Sequence, residues 1–164
     1  MAVSREARDI QTLLEIESIK QLKYRYLRTL DSKQWGEMRE LFVEDATSSY
    51  GGGKYSYDGR DAIMKFLTES LDRPTILTMH HGHHPEIQLT GDDSAVGTWA
   101  LEDWVIDLQF QVTIHGAAFY RDEYVRRDGE WRIQSTGYQR TFEEIVPRAQ
   151  LEGARVTSNL FALS

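Results

Sequence analysis

The sequence predicts an α+β fold, with N-terminal helices packed on one face of a curved antiparallel sheet. Apolar residues at helical spacing dominate residues 10–71, and extended segments separated by turn residues dominate residues 87–140. Helices followed by a run of antiparallel strands are typical of this class. A sheet that curls around helices encloses a cavity, and we expect the functional site to lie there.

The length and composition indicate one globular domain. The chain has 164 residues, of which 40% are apolar and 27% are charged, and these values are ordinary for a domain with a single core. We expect one domain over residues 1–164, with its core at about 10–145 and a C-terminal extension at 146–164.

Charge and residue usage exclude several classes of function. The formal charge is −7 without a basic stripe, which would repel a nucleic acid. The absence of Cys excludes thiolate nucleophiles, iron–sulfur clusters and zinc sites built on Cys. No apolar run approaches the roughly 20 residues of a membrane span, and no apolar segment follows the charged residues 1–8. We therefore expect a cytoplasmic protein without membrane contact.

Three helices are expected in the first half of the chain. Apolar residues at spacings of three and four indicate the first and longest of them. Asp31, with Gln34 three residues later, can form a capping box that starts the second, and Pro74 ends the third. The expected helical ranges are 10–30, 35–42 and 63–71.

The remaining segments are expected to be strands joined by tight turns. Three glycines at 51–53 separate a strand at 46–50 from its hairpin partner at 55–57. Asp128 followed by Gly129 is a strong hairpin signal between the strands at 112–125 and 131–140. Two further strands are expected at 87–89 and 95–110, joined across a turn at 91–93.

Four of the five histidines lie in one short segment, just before the expected strand at 87–89. His81 and His83 would share one strand face, which suits a metal ion. The spacing approaches the cupin pattern, but Glu86 follows His83 with only two intervening residues, fewer than that pattern has. The other interpretations are one His acting as acid or base and surface histidines without a ligand. Of these, we expect an acid–base His and no metal.

The carboxylates of Asp31 and of the pair Glu102 and Asp103 are candidates for chemistry. Asp31 either caps the second helix or points to the buried side of the first, where a His would serve as its partner. Glu102 and Asp103 face opposite sides of an apolar strand, so one of them faces the cavity. A buried carboxylate without a cation has a raised pKa that suits proton transfer; the alternative is an edge charge that discourages aggregation.

Two motifs are specific enough to indicate a family, Met-His-x-Gly-His at 79–83 and Leu-Glu-Asp at 101–103. Weaker matches extend them over residues 15–159 and include the segments 19–31, 47–50, 116–120 and 136–144. Together these segments resemble the SnoaL-like branch of the NTF2-like superfamily, and within it the bile-acid 7α-dehydratases. The resemblance implies a cystatin-like cone in which the helices and the sheet enclose a pocket.

The resemblance also implies a cofactor-independent dehydratase, a carbon–oxygen lyase. His80 would act as the base, Asp31 would fix its tautomer and stabilise the imidazolium, and Tyr26 would donate to the leaving hydroxyl or to an oxyanion. Asp103 would either accept a second proton or hold a substrate hydroxyl. The residues expected to contact the substrate are Tyr50, His83, Tyr120 and Arg140. Arg140 would lie at the mouth of the cavity; the alternative is a charge on the surface.

The implied substrate is a hydroxylated steroid-like or polycyclic ketone, free or as a coenzyme A thioester. The implied assembly is a homo-oligomer, commonly a trimer. Three alternatives remain open at this point. One is a non-catalytic ligand binder or assembly subunit of the same fold, another is a different elimination or isomerisation on the same His–Asp dyad, and the third is a metalloprotein.

Overall fold

A computed structural model describes residues 4–162 and confirms the α+β fold. Residues 1–3 of the charged N-terminal segment and residues 163–164 of the expected C-terminal extension lie outside the described part. The helices are α1 (Arg5–Asp31), α2 (Trp35–Arg39) and α3 (Arg60–Leu71). The strands are β1 (Phe42–Tyr50), β2 (Tyr55–Asp58), β3 (Ile76–Gly91), β4 (Ser94–Asp107), β5 (Val112–Arg127) and β6 (Glu130–Pro147).

The six strands form one sheet in the order β2-β1-β6-β5-β4-β3. Strands β3 to β6 are antiparallel neighbours, and β1 and β2 form the expected hairpin. The expectation of a wholly antiparallel sheet is wrong at one pair, because β1 runs parallel to β6. A parallel pair needs a long crossover, and here the whole chain from β2 to β5 provides it. The sheet is therefore mixed.

Helix α1 packs its C-terminal half on the concave face of the sheet. Ser4 caps its start by accepting a hydrogen bond from the backbone N–H of Ala7. The apolar residues of its first turns lie in solvent: Ile10, Leu13 and Leu14 are 52%, 67% and 57% exposed. The expectation that the helix faces the core from residue 10 onward is therefore wrong for its beginning. The buried apolar residues of its second half are Ile19, Leu22, Tyr26, Leu27 and Leu30.

The second helix is shorter than expected and has no capping box. It ends at Arg39, and Phe42 begins β1 with its side chain fully buried. Gln34 precedes the helix without a side-chain cap. Asp31 is the last residue of α1, and its carboxylate reaches β3 rather than the start of α2. Asp31 therefore binds residues of β3 and does not cap the start of α2.

The histidine segment lies inside a strand, because β3 begins at Ile76 and not at 87. Alternation along the strand decides which side chains face the helices. Gly82 faces inward, where an added Cβ would lie 2.8 Å from Leu27 Cδ1. His80 faces inward as well, whereas His81 and His83 lie on the outer face, the side of the sheet opposite α1 and α3.

Within residues 4–162, no helix combines the length and the apolar character needed to cross a membrane.

Candidate active site

A cavity of about 510 Å³ lies between α1, α3 and the concave face of the sheet. Its volume falls in the range of about 300–1,000 Å³ that is usual for small-molecule sites. The apolar part of the wall consists of Leu30, Phe66, Leu67, Leu71, Val105 and Ile114. The polar side chains that line it include Tyr26, Tyr50, His80, Asp103, Tyr120, Tyr138 and Arg140, and Lys54, Tyr55, Ser70 and Glu143 complete the polar lining.

His80 and Asp31 form a hydrogen-bonded pair at this cavity. Nδ1 of His80 lies 2.6 Å from Oδ1 of Asp31, and the backbone N–H of His80 donates to Oδ2 at 2.8 Å. The hydroxyl of Thr78 donates to Oδ1 at 2.8 Å. Because Asp31 occupies Nδ1, the other ring nitrogen, Nε2, is available to a ligand in the cavity.

The carboxylate of Asp31 stays ionised although it is largely buried. Burial by itself raises its pKa, but the hydrogen bonds and the charge of His80, together with the hydrogen bond from Thr78, outweigh it. The net effect is a pKa below the ordinary value of 3.8. An ionised carboxylate on Nδ1 favours the tautomer that leaves Nε2 without a proton, and it stabilises the imidazolium formed when Nε2 accepts one.

Asp103 lies beside His80 and is bound by an arginine. His80 and Asp103 are direct partners across β3 and β4. The guanidinium of Arg140 donates two hydrogen bonds to the Asp103 carboxylate, one of them from Nη2 to Oδ2 at 2.8 Å. Burial lowers the pKa of Arg140, but the hydrogen bonds and charge of Asp103 raise it above its ordinary value. The sequence predicted a buried carboxylate without a cation in this strand. This prediction is wrong for Asp103, because the guanidinium of Arg140 binds it.

Gly116 makes the contact between Arg140 and Asp103 possible. It lies on β5, between Asp103 on β4 and Glu143 on β6. A Cβ at this position would lie 2.5 Å from the backbone oxygen of Phe142 and 3.3 Å from Nη1 of Arg140. The absence of a side chain lets the guanidinium cross β5 and reach the next strand.

Three tyrosines line the deep end of the cavity and present hydroxyl groups. Tyr26, Tyr50 and Tyr120 are each at least 97% buried, and the hydroxyls of Tyr26 and Tyr50 are 3.5 Å apart. Burial raises the pKa of all three well above the ordinary value of 10.0. These hydroxyls therefore remain protonated at neutral pH and can donate hydrogen bonds to a ligand oxygen.

A buried ion pair beneath the tyrosines was not expected from the sequence. Nζ of Lys23 lies 2.8 Å from Oδ2 of Asp122, and both side chains are fully buried. The hydroxyls of Tyr124 and Thr136 donate to the same carboxylate at 2.7 and 2.6 Å. The ammonium also lies 3.5 Å from the centre of the Tyr120 ring. A Lys inside an apolar helix face is the sequence signal that could have indicated this buried charge.

Most of the residues expected at the site come together in the structure. Those that line the cavity are Tyr26, Tyr50, His80, Asp103, Tyr120 and Arg140, and Asp31 supports His80. His83 does not join them, because strand alternation places it on the outer face. It therefore cannot contact a ligand in this cavity, contrary to the expected substrate contact.

Three larger depressions, of about 740, 660 and 610 Å³, lie elsewhere on the surface. The first crosses β5 and β6, the second lies between α1 and the turn that joins these strands, and the third crosses β3, β4 and β5. In the described part of the chain, none of the three is lined by a histidine. The 510 Å³ cavity is the one in which titratable groups and apolar walls coincide.

Comparison with known proteins agrees with this architecture. A sequence profile of the SnoaL-like domain matches residues 11–137. The chain belongs to the SnoaL-like domain family.

Solved structures with the same fold carry several functions. A proposed scytalone dehydratase from Novosphingobium aromaticivorans has a TM-score of 0.73 and 24% identity, covering 81% of this chain and 88% of that one. The LinA-type3 hexachlorocyclohexane dehydrochlorinase from Novosphingobium barchaimii has a TM-score of 0.77 and 19% identity, covering 92% and 99%. A proposed aromatic ring hydroxylase from N. aromaticivorans has a TM-score of 0.71 and 16% identity, covering 79% and 90%. At these identities the likeness concerns the fold.

Proposed function

We propose that the protein is a cofactor-independent lyase that eliminates water from a hydroxylated steroid-like or polycyclic ketone, with a specificity like that of bile-acid 7α-dehydratases. The observation that carries the proposal is the Asp31–His80 pair, with its 2.6 Å hydrogen bond, at a cavity whose wall is partly apolar. A non-catalytic binder has no need of a carboxylate that orients a histidine toward its ligand. The names of two fold neighbours, a dehydratase and a dehydrochlorinase, describe eliminations and support the same class.

His80 is the proton acceptor in this proposal. In a 3-oxo-4-ene steroid with a 7α-hydroxyl, Nε2 removes a proton from the carbon between the alkene and the carbon that bears the hydroxyl. The electrons of that C–H bond form a dienolate, whose charge spreads to the carbonyl oxygen. The C–O bond then breaks, a new C=C bond forms, and the proton on His80 passes to the departing hydroxyl, which leaves as water. Asp31 stabilises the imidazolium between the two transfers.

The tyrosine hydroxyls stabilise the charge that develops on oxygen. Tyr26 and Tyr50 are neutral donors in a buried site, where a hydrogen bond to an oxyanion contributes more than it does in water. In the proposed reaction, Tyr26 donates either to the leaving hydroxyl or to the carbonyl oxygen.

Asp103 holds a substrate hydroxyl in this proposal rather than accepting a second proton. Both of its oxygens accept a hydrogen bond from the guanidinium of Arg140, which fixes the carboxylate in place. Each oxygen keeps a second lone pair that can accept a hydrogen bond from a substrate hydroxyl. Arg140 therefore acts on the substrate through the position of Asp103.

The test is ultraviolet absorbance after mixing the purified protein with a 7α-hydroxy-3-oxo-4-ene steroid acid, as the free acid and as its coenzyme A thioester. The expected result is growth of the red-shifted band of the conjugated dienone with at least one of the two forms. Tight steroid binding without the band would instead indicate a carrier or a different reaction on the dyad. If the protein neither binds the steroid nor produces the band, the proposal of a steroid substrate loses its support.

We also propose that the chain forms a homo-oligomer, with a trimer expected, through the part of the sheet's outer face that carries exposed aromatic side chains. Trp104, Phe119 and Phe142 are exposed on this face, and the partly buried ring of His115 stacks on Trp104 and packs edge-on against Phe142. We call these four residues the outer patch. Exposed apolar clusters of this kind are typical of protein interfaces. In sedimentation equilibrium, the wild type should show the oligomer and Phe142→Asp should shift it toward the monomer. A monomeric wild type would contradict the proposal.

A further inference from the structure

Three potential metal ligands meet on the outer face of the sheet, at the β3 edge of the outer patch. His81 and His83 point to this face from β3, and Glu102 is the direct partner of His81 on β4. One ligand atom from each of the three side chains lies within 4.8 Å of the others. The imidazole rings of the two histidines are 5.8 Å apart and nearly perpendicular.

We propose that His81, His83 and Glu102 bind one divalent cation of the Zn²⁺ class. Two imidazoles and one carboxylate are a ligand set that zinc and neighbouring transition metals prefer. Ligands at about 2.0–2.2 Å from such an ion are separated by about 3.3–3.5 Å in a tetrahedral site. Side-chain rotations that move each ligand atom by about 1 Å bring the distances between the ligand atoms to that value. Water completes the coordination.

The three side chains are available for a ligand. In the described residues, the ion pairs formed by histidine are His80 with Asp31 and His115 with Glu144, and none involves His81 or His83. The carboxylate of Glu102 is exposed and belongs to none of the ion pairs of the described chain. A cation would also be attracted by the net charge of −7.

The proposed metal site is separate from the elimination. Strand alternation places His80 and Asp103, the sequence neighbours of His81 and Glu102, on the opposite face of the same two strands. The cation would therefore join β3 to β4 behind the catalytic pair without contacting the substrate. Its role is to hold the two strands in register at the edge of the sheet.

The sequence pattern did not indicate Glu102 as the third ligand. Glu86 is nearest in sequence, but a register shift between His83 and Glu86 separates it from the histidine pair, and it does not belong to the cluster. Glu102 takes its place because cross-strand pairing brings it opposite His81. This difference provides a matched control, since Glu86→Gln removes a nearby carboxylate outside the cluster.

The test is isothermal titration calorimetry with Zn²⁺ on protein that lacks a histidine tag, has been treated with chelator, and is in its natural oligomeric state. The expected result is one Zn²⁺ per chain, with at least a tenfold loss of affinity in His81→Ala, His83→Ala and Glu102→Gln. Mg²⁺, which prefers oxygen ligands, should not bind there. The melting temperature of each variant without metal should match the wild type, because these side chains are on the surface.

Two controls decide between this site and weaker binding elsewhere. Glu86→Gln and His84→Asn should keep the wild-type affinity within twofold; Asn is chosen because His84 has a positive φ of 45°. Equal losses in the controls and in the three ligand variants would overturn the proposal, as would Zn²⁺ binding that survives the triple variant. These results do not depend on the dehydratase assay, so either proposal can fail alone.

Discussion

His80→Ala is expected to lower the rate of elimination by about 10²–10⁴-fold on a substrate that the wild type converts. The variant removes the proposed base and leaves Asp31 without the ring that it orients. Substrate binding should change much less than kcat, because the apolar walls and tyrosines of the cavity remain. Stopped-flow absorbance at the dienone band measures the rate, and steroid fluorescence quenching measures binding.

Asp31→Asn is expected to give a loss of similar size while keeping nearly the same shape. An amide at this position no longer fixes the tautomer with Nε2 unprotonated, and it no longer stabilises the imidazolium. The double variant should be only slightly slower than either single variant, because residues that act as a unit are not additive.

The matched control for the dyad is His84→Asn, which replaces an exposed histidine of the same strand. It should keep the wild-type rate, and the near-ultraviolet circular dichroism of all variants should match the wild type. Near-full activity in either His80→Ala or Asp31→Asn would show that the dyad is not the catalytic machinery, even if the substrate class is right.

Lys23→Met is expected to lower the free energy of unfolding by about 3–5 kcal/mol, because it leaves the charge of Asp122 buried without its cation. Lys23 and Asp122 are fully buried at a distance of 2.8 Å. Burial lowers the pKa of Lys23, and the attraction of Asp122 opposes this effect. Methionine keeps similar volume, so the loss reports the unpaired charge more than a cavity. Urea unfolding monitored by tryptophan fluorescence measures the change.

Two further variants separate the ion pair from general disturbance of α1. Lys20→Met replaces a lysine whose partner is the exposed Glu17, and it should change the free energy of unfolding by no more than about 0.5 kcal/mol. The double variant Lys23→Met with Asp122→Asn should recover part of the loss, because the buried charge is gone. A double variant less stable than Lys23→Met would argue against this explanation.

Local sequence patterns predicted much of the fold and part of the site. Hydrophobic spacing indicated the long first helix, and Asp128 with Gly129 located the hairpin between β5 and β6. The same reasoning placed one of Glu102 and Asp103 on the inner face. These features depend on residues close in sequence, and short-range periodicity and turn chemistry are what a sequence expresses directly.

The sequence alone also determined the family resemblance and the absence of Cys chemistry. For Asp31 it left two interpretations, a helix cap or a buried partner of a histidine. Tertiary structure decided which interpretation holds, because Asp31 meets His80 across 49 residues of chain. It likewise decided that Arg140 neutralises Asp103, that Lys23 is buried with Asp122, and that His83 faces outward. Each of these depends on strand register and on how α1 lies across the sheet, which long-range packing sets and local periodicity does not encode.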